Sequence, residues 1–446
     1  MSIVVGCAIA VGCGGGSNSG GDDSLPPTGD AAGRDAADPN AKSIKVTLNN
    51  APSDGPAFTF VAAYQDGDGA WQPALARTGD AYTFAVNSPT WGFAYTCEVN
   101  VRVGTAVTDL RDIVEFHFAT AERTALTQDI LTRCTDRISY VELSGTISNR
   151  SNTGTYRVAF NGNSVFIDKT AGTYDMLVQP GTHDLLVLHG TDRNTPGDFL
   201  VDGAVVQRNV AITAATVHNA AGNTTSSTPS LAVSVSGAGA STSNETTTNL
   251  FTANGTVVSL AQLSKTPLAS TGLPNSQAAA GDLYDQHVTV EIVKNQAVTA
   301  TSASATAAAL TVPAPAALGA TTTTSAATMP YPIFTSTWPG YASAIGYTWS
   351  LAQTPPAAGC GTSPVCTITW TASVSPGAAK ATPSYTMPDL SQLPGWSTAL
   401  QFVAGTMATG DVTAMTSSAG AMDFPPGPPA AGTKRVFAHS TFTATP

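Results

Sequence analysis

The residues able to do chemistry are few and scattered. Asp66-Gly67-Asp68-Gly69 opens like a calcium loop. Such a loop needs oxygen ligands at alternate positions and an acidic residue at the twelfth, and here Ala70 holds the fifth place and Arg77 the twelfth. An Asp-Gly hairpin turn is the expected reading. Asp282 and Asp285 flank Leu283-Tyr284, a spacing that reads as a cap rather than a metal site. The six histidines, His117, His183, His189, His218, His287 and His439, form no HExxH pair. His117 lies between Phe116 and Phe118 in an alternating run, so it is expected to point outward from its strand as a surface histidine. There is no GxSxG, no P-loop, and no GxGxxG before a helix. No catalytic, cofactor or metal residues are therefore expected. A carboxylate pair for glycoside hydrolysis has no fixed spacing, which leaves an envelope carbohydrate-active hydrolase with accessory β-modules as the alternative.

The aromatic residues of the C-terminal half offer a second kind of site. Trp338, Tyr341, Tyr347, Trp349, Trp370 and Trp396 cluster there. Flat aromatic faces stack on sugar rings or anchor interfaces. Trp349 and Trp370 lie in alternating runs and are expected in a core. Trp338 and Trp396 adjoin Pro and Gly, so they are expected in exposed loops as ligand-contact aromatics.

Six cysteines divide into two sets. Cys7 and Cys13 lie in an apolar N-terminal stretch. Cys97, Cys134, Cys360 and Cys366 remain, an even number that reads as disulfides in an exported chain. Three connectivities are open, and Cys97–Cys134 with Cys360–Cys366 is preferred because each pair shares an expected module. A zinc site finds no CxxC and no neighbouring histidine pair.

The elements that must hold these residues are strands. Phe58, Phe60, Ala62 and Tyr64 alternate, the Asp-Gly turn follows, and Tyr82, Phe84 and Val86 begin the next run. Phe93, Tyr95, Cys97, Val99, Val101 and Val103 form a long inward row, with Gly92, Ala94, Thr96 and Glu98 on the opposite face. Period-two alternation of this kind marks half-buried strands. Tyr82 to Val86 with Pro89 parallels Tyr174 to Val178 with Pro180, a weak internal repeat that suggests tandem related modules. Val288, Val290 and Ile292 alternate, as do small residues from Thr299 to Val312, which fit a strand or a disordered stretch. No amphipathic helix is evident. The expected fold is all-β: tandem β-sandwiches at 42–137, 138–219 and 220–446, after a signal segment at 1–13 and a flexible Gly/Ser/Asp-rich tether at 14–41.

Three stretches carry resemblances. Ala10-Val11-Gly12-Cys13, behind the apolar run Ile3–Val11, resembles a bacterial lipobox. The resemblance implies a signal peptide and an acylated, palmitate-bearing Cys13. It departs from that pattern in having no Lys or Arg before Arg34, so either the true start lies upstream or the signal is weak. Leu143-Ser144-Gly145-Thr146-Ile147, Gly172-Thr173-Tyr174 and Val178-Gln179-Pro180-Gly181-Thr182-His183-Asp184-Leu185 resemble carboxypeptidase regulatory-like domains, small β-sandwiches without catalytic residues. The order of lipobox, Gly-rich tether and Trp/Tyr-marked module is similar to uncharacterised Gram-negative lipoproteins.

Composition bounds the function. The 446 residues are 42% apolar and only 11% charged, with net charge −11. About 25% charged is usual for a soluble domain, and an acidic chain lacks the basic footprint of a nucleic-acid binder. Charge is concentrated in the first half, and none occurs from Asn295 to Ala379. The resulting expectation is an exported protein anchored by lipid at the cell envelope, at the periplasmic or surface face of the outer membrane. Its role would be non-catalytic, structural or adhesive, with an envelope polysaccharide or protein as partner. A pure structural spacer is the remaining alternative.

Overall fold

Among the described residues the alternating aromatic and aliphatic rows fold as strands, while Phe58 and Phe60 lie outside those residues. The computed structural model describes residues 41–50, 61–74, 78–103, 106–129, 139–167, 172–192, 198–222, 231–236, 243–264, 268–293, 295–313, 316–327, 330–360, 365–379, 382–420 and 429–445. Cys13, Cys134, the signal segment and nearly all of the tether lie outside these residues. Among them there is no α-helix, only strands and short 3-10 turns such as Ala357–Cys360 and Thr398–Leu400. Lys42–Pro446 forms one compact unit.

The first module contains Lys42–Asn49 (β1), Ala62–Asp66 (β2), Gln72–Pro73 (β3), Ala81–Val86 (β4), Thr90–Val103 (β5), Ala106–Ala119 (β6) and Ala125–Asp129 (β7). Strand β1 is the centre of a small sheet, antiparallel to β4 and parallel to β7. The other four strands run β3-β2-β5-β6. Ile44, Val46 and Leu48 from the small sheet meet Phe93, Tyr95, Cys97, Phe116 and Phe118 from the large one in a single apolar core. The Asp-Gly turn is the β2–β3 hairpin, with Gly67 at φ 58°, a backbone region open to glycine at no steric cost.

The same plan recurs. The second module has Val141–Ser148 (β8), Thr155–Phe160 (β9), Asn163–Ile167 (β10), Thr173–Val178 (β11), Gly181–Asp192 (β12), Phe199–Ile212 (β13), Thr216–Val217 (β14) and Ala220–Ala221 (β15). Central β8 is antiparallel to β11 and parallel to β14 and β15, and the large-sheet strands run β10-β9-β12-β13. The weak repeat is therefore structural: Tyr82 and Tyr174 occupy matching strands, β4 and β11, and both are buried. A third copy follows, Leu231–Ser236 (β16), Ser243–Phe251 (β17), Val257–Leu263 (β18), Ala269–Ser270 (β19), Leu283–Val293 (β20), Gln296–Ser304 (β21) and Leu310–Pro313 (β22). It repeats both the small sheet β19-β16-β22 and the order β18-β17-β20-β21.

The fourth module is built differently. It has Thr322–Ala327 (β23), Ile333–Thr337 (β24), Gly346–Gln353 (β25), Val365–Val374 (β26), Ser384–Thr386 (β27), Ala408–Ser417 (β28) and Lys434–Ala444 (β29). Its small sheet β23-β24-β27 is wholly antiparallel. The region 220–446, read from sequence as one large sandwich, thus carries two small sheets. The uncharged stretch holds the strands from β21 to β26.

All four large-sheet portions join into one 16-stranded sheet, β10-β9-β12-β13-β18-β17-β20-β21-β29-β28-β25-β26-β6-β5-β2-β3. The chain returns so that its last module docks beside its first. That joint is parallel, with β26 pairing β6 from Val365↔Thr108 to Val374↔His117. The docking covers the second face of the first module's sheet. Val61, Ala63, Ala94 and Ile113 pack in the fourth module's core with Trp338, Trp349 and Trp370. The face expected to be solvated, carrying Ala94 and Thr96, is buried as well.

Candidate ligand-binding site between the first and fourth modules

Strand β6 carries Arg111, Ile113, Glu115 and His117 at alternate positions, so all four project toward the fourth module. A carboxylate there loses water and must find donors. Glu115 is fully buried. One of its oxygens accepts from Trp370 Nε1 and from the Tyr385 hydroxyl at 2.8 Å. The other faces His117 Nε2 at 2.9 Å. A carboxylate oxygen can only accept here, so Nε2 is the donor of this hydrogen bond. Burial pushes the Tyr385 phenol well above its ordinary value, and the neighbouring Glu115 charge adds to this. Tyr385 thus stays a protonated donor to Glu115.

His117 lies at the edge of this network, part-exposed, with Trp71 edge-on at 5.9 Å and Tyr385 at 5.8 Å. These groups line a cavity of about 300 Å³ together with the half-buried Gln65 and the exposed Asp68 and Thr386. Two features of the first module position them. Trp71 follows the β2–β3 turn and folds back over β5. Gly92, the direct partner of His117 in the β5–β6 ladder, leaves room for it, since a Cβ there would meet Trp71 Cη2 at 3.1 Å. The turn itself is tied down by Asp66, which accepts from the backbone N–H groups of Asn87 and Ser88 at 2.9 and 2.8 Å. Burial works against ionisation of Asp66, but these donors and the Ser88 hydroxyl outweigh it and hold the carboxyl below its usual range. Both of its oxygens serve the turn.

The sequence marked other residues more strongly, and the structure places them elsewhere. Trp338 does lie outside a strand, just past the end of β24, but it is 1% exposed, contrary to the expected exposure. It continues the inward row Phe334, Ser336, Trp338 past the end of β24, so period-two alternation outweighs the adjacent Pro339. Its indole contacts Tyr347 at 5.8 Å. Trp396 does lie in a loop, but it is half-buried and stacked on Tyr331 with centroids 6.0 Å apart. Neither lines the cavity. Trp349 and Trp370 are core residues, as expected. His117 does leave its own module's core, but the fourth module covers that face, so it is no free surface histidine.

Cys360 and Cys366 are joined, with Cα atoms 5.4 Å apart. Cys97 is disulfide-bonded and buried. The Cys360 loop has a second tie: the Arg111 guanidinium donates to the carbonyls of Cys360 and Ala399, each at 2.9 Å. Arg111 thereby clasps the fourth module to the first.

A second group of charges ties modules together. Asp184, from the corner resembling regulatory-like domains, accepts from Arg208 at 2.7 Å, Asn254 at 2.8 Å and the Asn209 N–H at 3.1 Å. Arg208 is held bidentately by Asp282, which also accepts from the N–H groups of Ala253 and Ala279. Asp282 is a loop cap and an ion-pair partner together, and it links the second module to the third. Asp285 pairs with His287 at 2.9 Å. Among the described residues no group of three or more His, Cys, Asp or Glu side chains is placed to hold a metal ion.

Sequence reasoning missed Trp71, Glu115 and Tyr385. The available signal was a row of polar residues, Arg111, Glu115 and His117, on the face of the strand opposite Phe116 and Phe118. The donors Trp370 and Tyr385 lie far along the chain, so no local pattern could reveal them.

No family model matches the chain, and no curated protein does. Among solved structures, a DUF3823 family protein from Bacteroides ovatus aligns with 34% of this chain and 91% of its own length, at 14% identity and a TM-score of 0.13.

Proposed function

We propose that this protein is a non-catalytic binding protein held at the cell envelope, with Cys13 as its acylated anchor and the Gly-rich segment as its tether. One observation carries the binding role: a cavity of about 300 Å³ lined by Trp71, His117 and Tyr385. Convergent aromatic and polar groups in a concave site are the usual mark of a small-molecule site. The non-catalytic part rests on the state of Glu115. Both of its oxygens are occupied by donors from the chain itself, so it is held as a structural acceptor rather than as a free acid or base.

The burial of Trp338 favours the second reading, a spacer that presents no ligand site. One experiment separates the two. Full-length protein, shown to be folded, is immobilised and exposed to envelope extract of its source organism, and retained sugars and proteins are identified. Saturable retention that is lost on Trp71→Ala supports the binding role. Absence of any retained component refutes it in favour of the spacer. Turnover of a retained glycan would favour the hydrolase alternative.

A further inference from the structure

The cavity's chemistry goes further than its existence, and the inference from it rests on the binding role just proposed. We propose that the cavity binds a neutral sugar unit, stacked on Trp71. At about 300 Å³ it lies at the small end of the roughly 300–1,000 Å³ typical of small-molecule sites. That suits one or two rings at a chain end rather than an extended segment. Trp71 is half-buried, so part of its flat ring stays available. An aromatic face carries negative charge density and attracts the weakly positive C–H face of a pyranose.

The polar rim suits hydroxyl groups. Asp68 is exposed and accepts only. The amide nitrogen of Gln65 is fixed on the Gly69 carbonyl at 2.7 Å, which turns its oxygen into a second acceptor. His117 Nε2 is committed to Glu115, so the ring is held in place as part of the wall. Acceptors around an aromatic plane match the O–H groups of a sugar. An anion would meet the Asp68 carboxylate. A cation would find the buried Glu115 already engaged by three donors and only the exposed, solvent-screened Asp68 carboxylate to hold it.

The geometry is built in advance. Gly92 gives Trp71 its place against the sheet, and Glu115 fixes the His117 ring. Little ordering remains for binding, which lowers the cost of capturing a small ligand.

The test is calorimetric titration of the full chain with glucose, galactose, N-acetylglucosamine, cellobiose and chitobiose, with choline and inorganic phosphate as charged probes. Saturable binding of at least one neutral sugar is expected, about tenfold weaker in Trp71→Ala, as an aromatic contact worth roughly 1.4 kcal/mol would give. Asp68→Asn keeps the exposed site's shape and is expected to weaken the same sugar severalfold. It serves as the second variant should Trp71→Ala fail to fold. Binding of no neutral sugar overturns the inference. So does sugar binding that survives both substitutions, or choline or phosphate binding with the same dependence on Trp71. If envelope components are retained through Trp71 while every sugar fails, the binding role stands and only the sugar assignment falls.

Discussion

Replacing Glu115 offers the most direct measure of how the two modules are joined. Glu115→Leu removes the acceptor of two buried donors, Trp370 Nε1–H and the Tyr385 hydroxyl. Each buried donor left unpaired costs about 1–3 kcal/mol, so the loss is about 4 kcal/mol. At roughly 2–4 °C per kcal/mol for a domain of 150–250 residues, the transition reporting this core should fall by about 10 °C. Glu115→Gln keeps a carbonyl oxygen for both donors and disturbs only the contact to the part-exposed His117, so it should cost about 1 kcal/mol. The assay is thermal unfolding followed by near-ultraviolet circular dichroism, which reports the tryptophans packed around Glu115. Calorimetry checks whether this transition is separate, since multi-module chains need not unfold in one step. Equal losses for Gln and Leu would mean that charge, acting through His117, matters more than donor satisfaction. A loss below about 1 kcal/mol for Leu would mean the donors find other partners, and the account of this joint would be wrong.

Trp338→Ala should destabilise by about 3–5 kcal/mol as a core truncation. Trp338 Nε1 is buried without a partner among the described residues, so Trp338→Phe should cost much less; equal losses in denaturant midpoints would refute this. Replacing Cys360 and Cys366 by Ser should remove about 2 kcal/mol by loop entropy, and it should loosen the carbonyl that receives Arg111. Arg111→Met in the disulfide-free background should then cost less than in the parent, a non-additivity read in a double-mutant cycle. Burial opposes ionisation of Asp184, but the donors Asn254, Asn209, Arg208 and Thr252 together hold its carboxyl below the usual range. Its contribution is thus complete above the unfolded value near 4 and is lost as pH falls through the lower folded value. Asp184→Asn should flatten acid unfolding of the second and third modules; an unchanged acid limb would contradict the assignment. Burial raises the Tyr174 phenol to about 12. Stability is then lost as pH rises from about 10 toward that value, and Tyr174→Phe should reduce this alkaline loss in a spectroscopic titration without removing it, because burial raises Tyr284, Tyr331, Tyr341 and Tyr385 as well.

Much of the fold is written locally. The alternation of Phe93, Tyr95 and Cys97, the Asp-Gly turn at Gly67, the likeness of Tyr82 and Tyr174, and the short Cys360–Cys366 loop all depend on neighbours a few residues away. A pleated strand sends successive side chains to opposite faces, and such rows are legible without any structure. The third copy of the module plan was not legible. Its strands β17 and β21 are Thr-, Ser- and Ala-rich, so they share the topology while lacking the aromatic landmarks of the first two.

What the sequence could not decide was which faces would be covered. Alternation assigns Ala94, Glu115 and His117 to the face opposite the first core, and a strand in isolation would leave that face in water. The fourth module, about 250 residues further on, buries it by parallel pairing of β26 with β6. That pairing brings Trp370 and Tyr385 to Glu115 and turns His117 from a surface residue into the wall of a cavity. Trp338 went astray for the converse reason. Pro339 marks the end of a strand, but the small sheet above the core decides where the last side chain of its row points. Local chemistry thus fixed the strands and their two faces. The candidate site exists only because elements distant in sequence close over one of them, and no spacing along the chain encodes that closure.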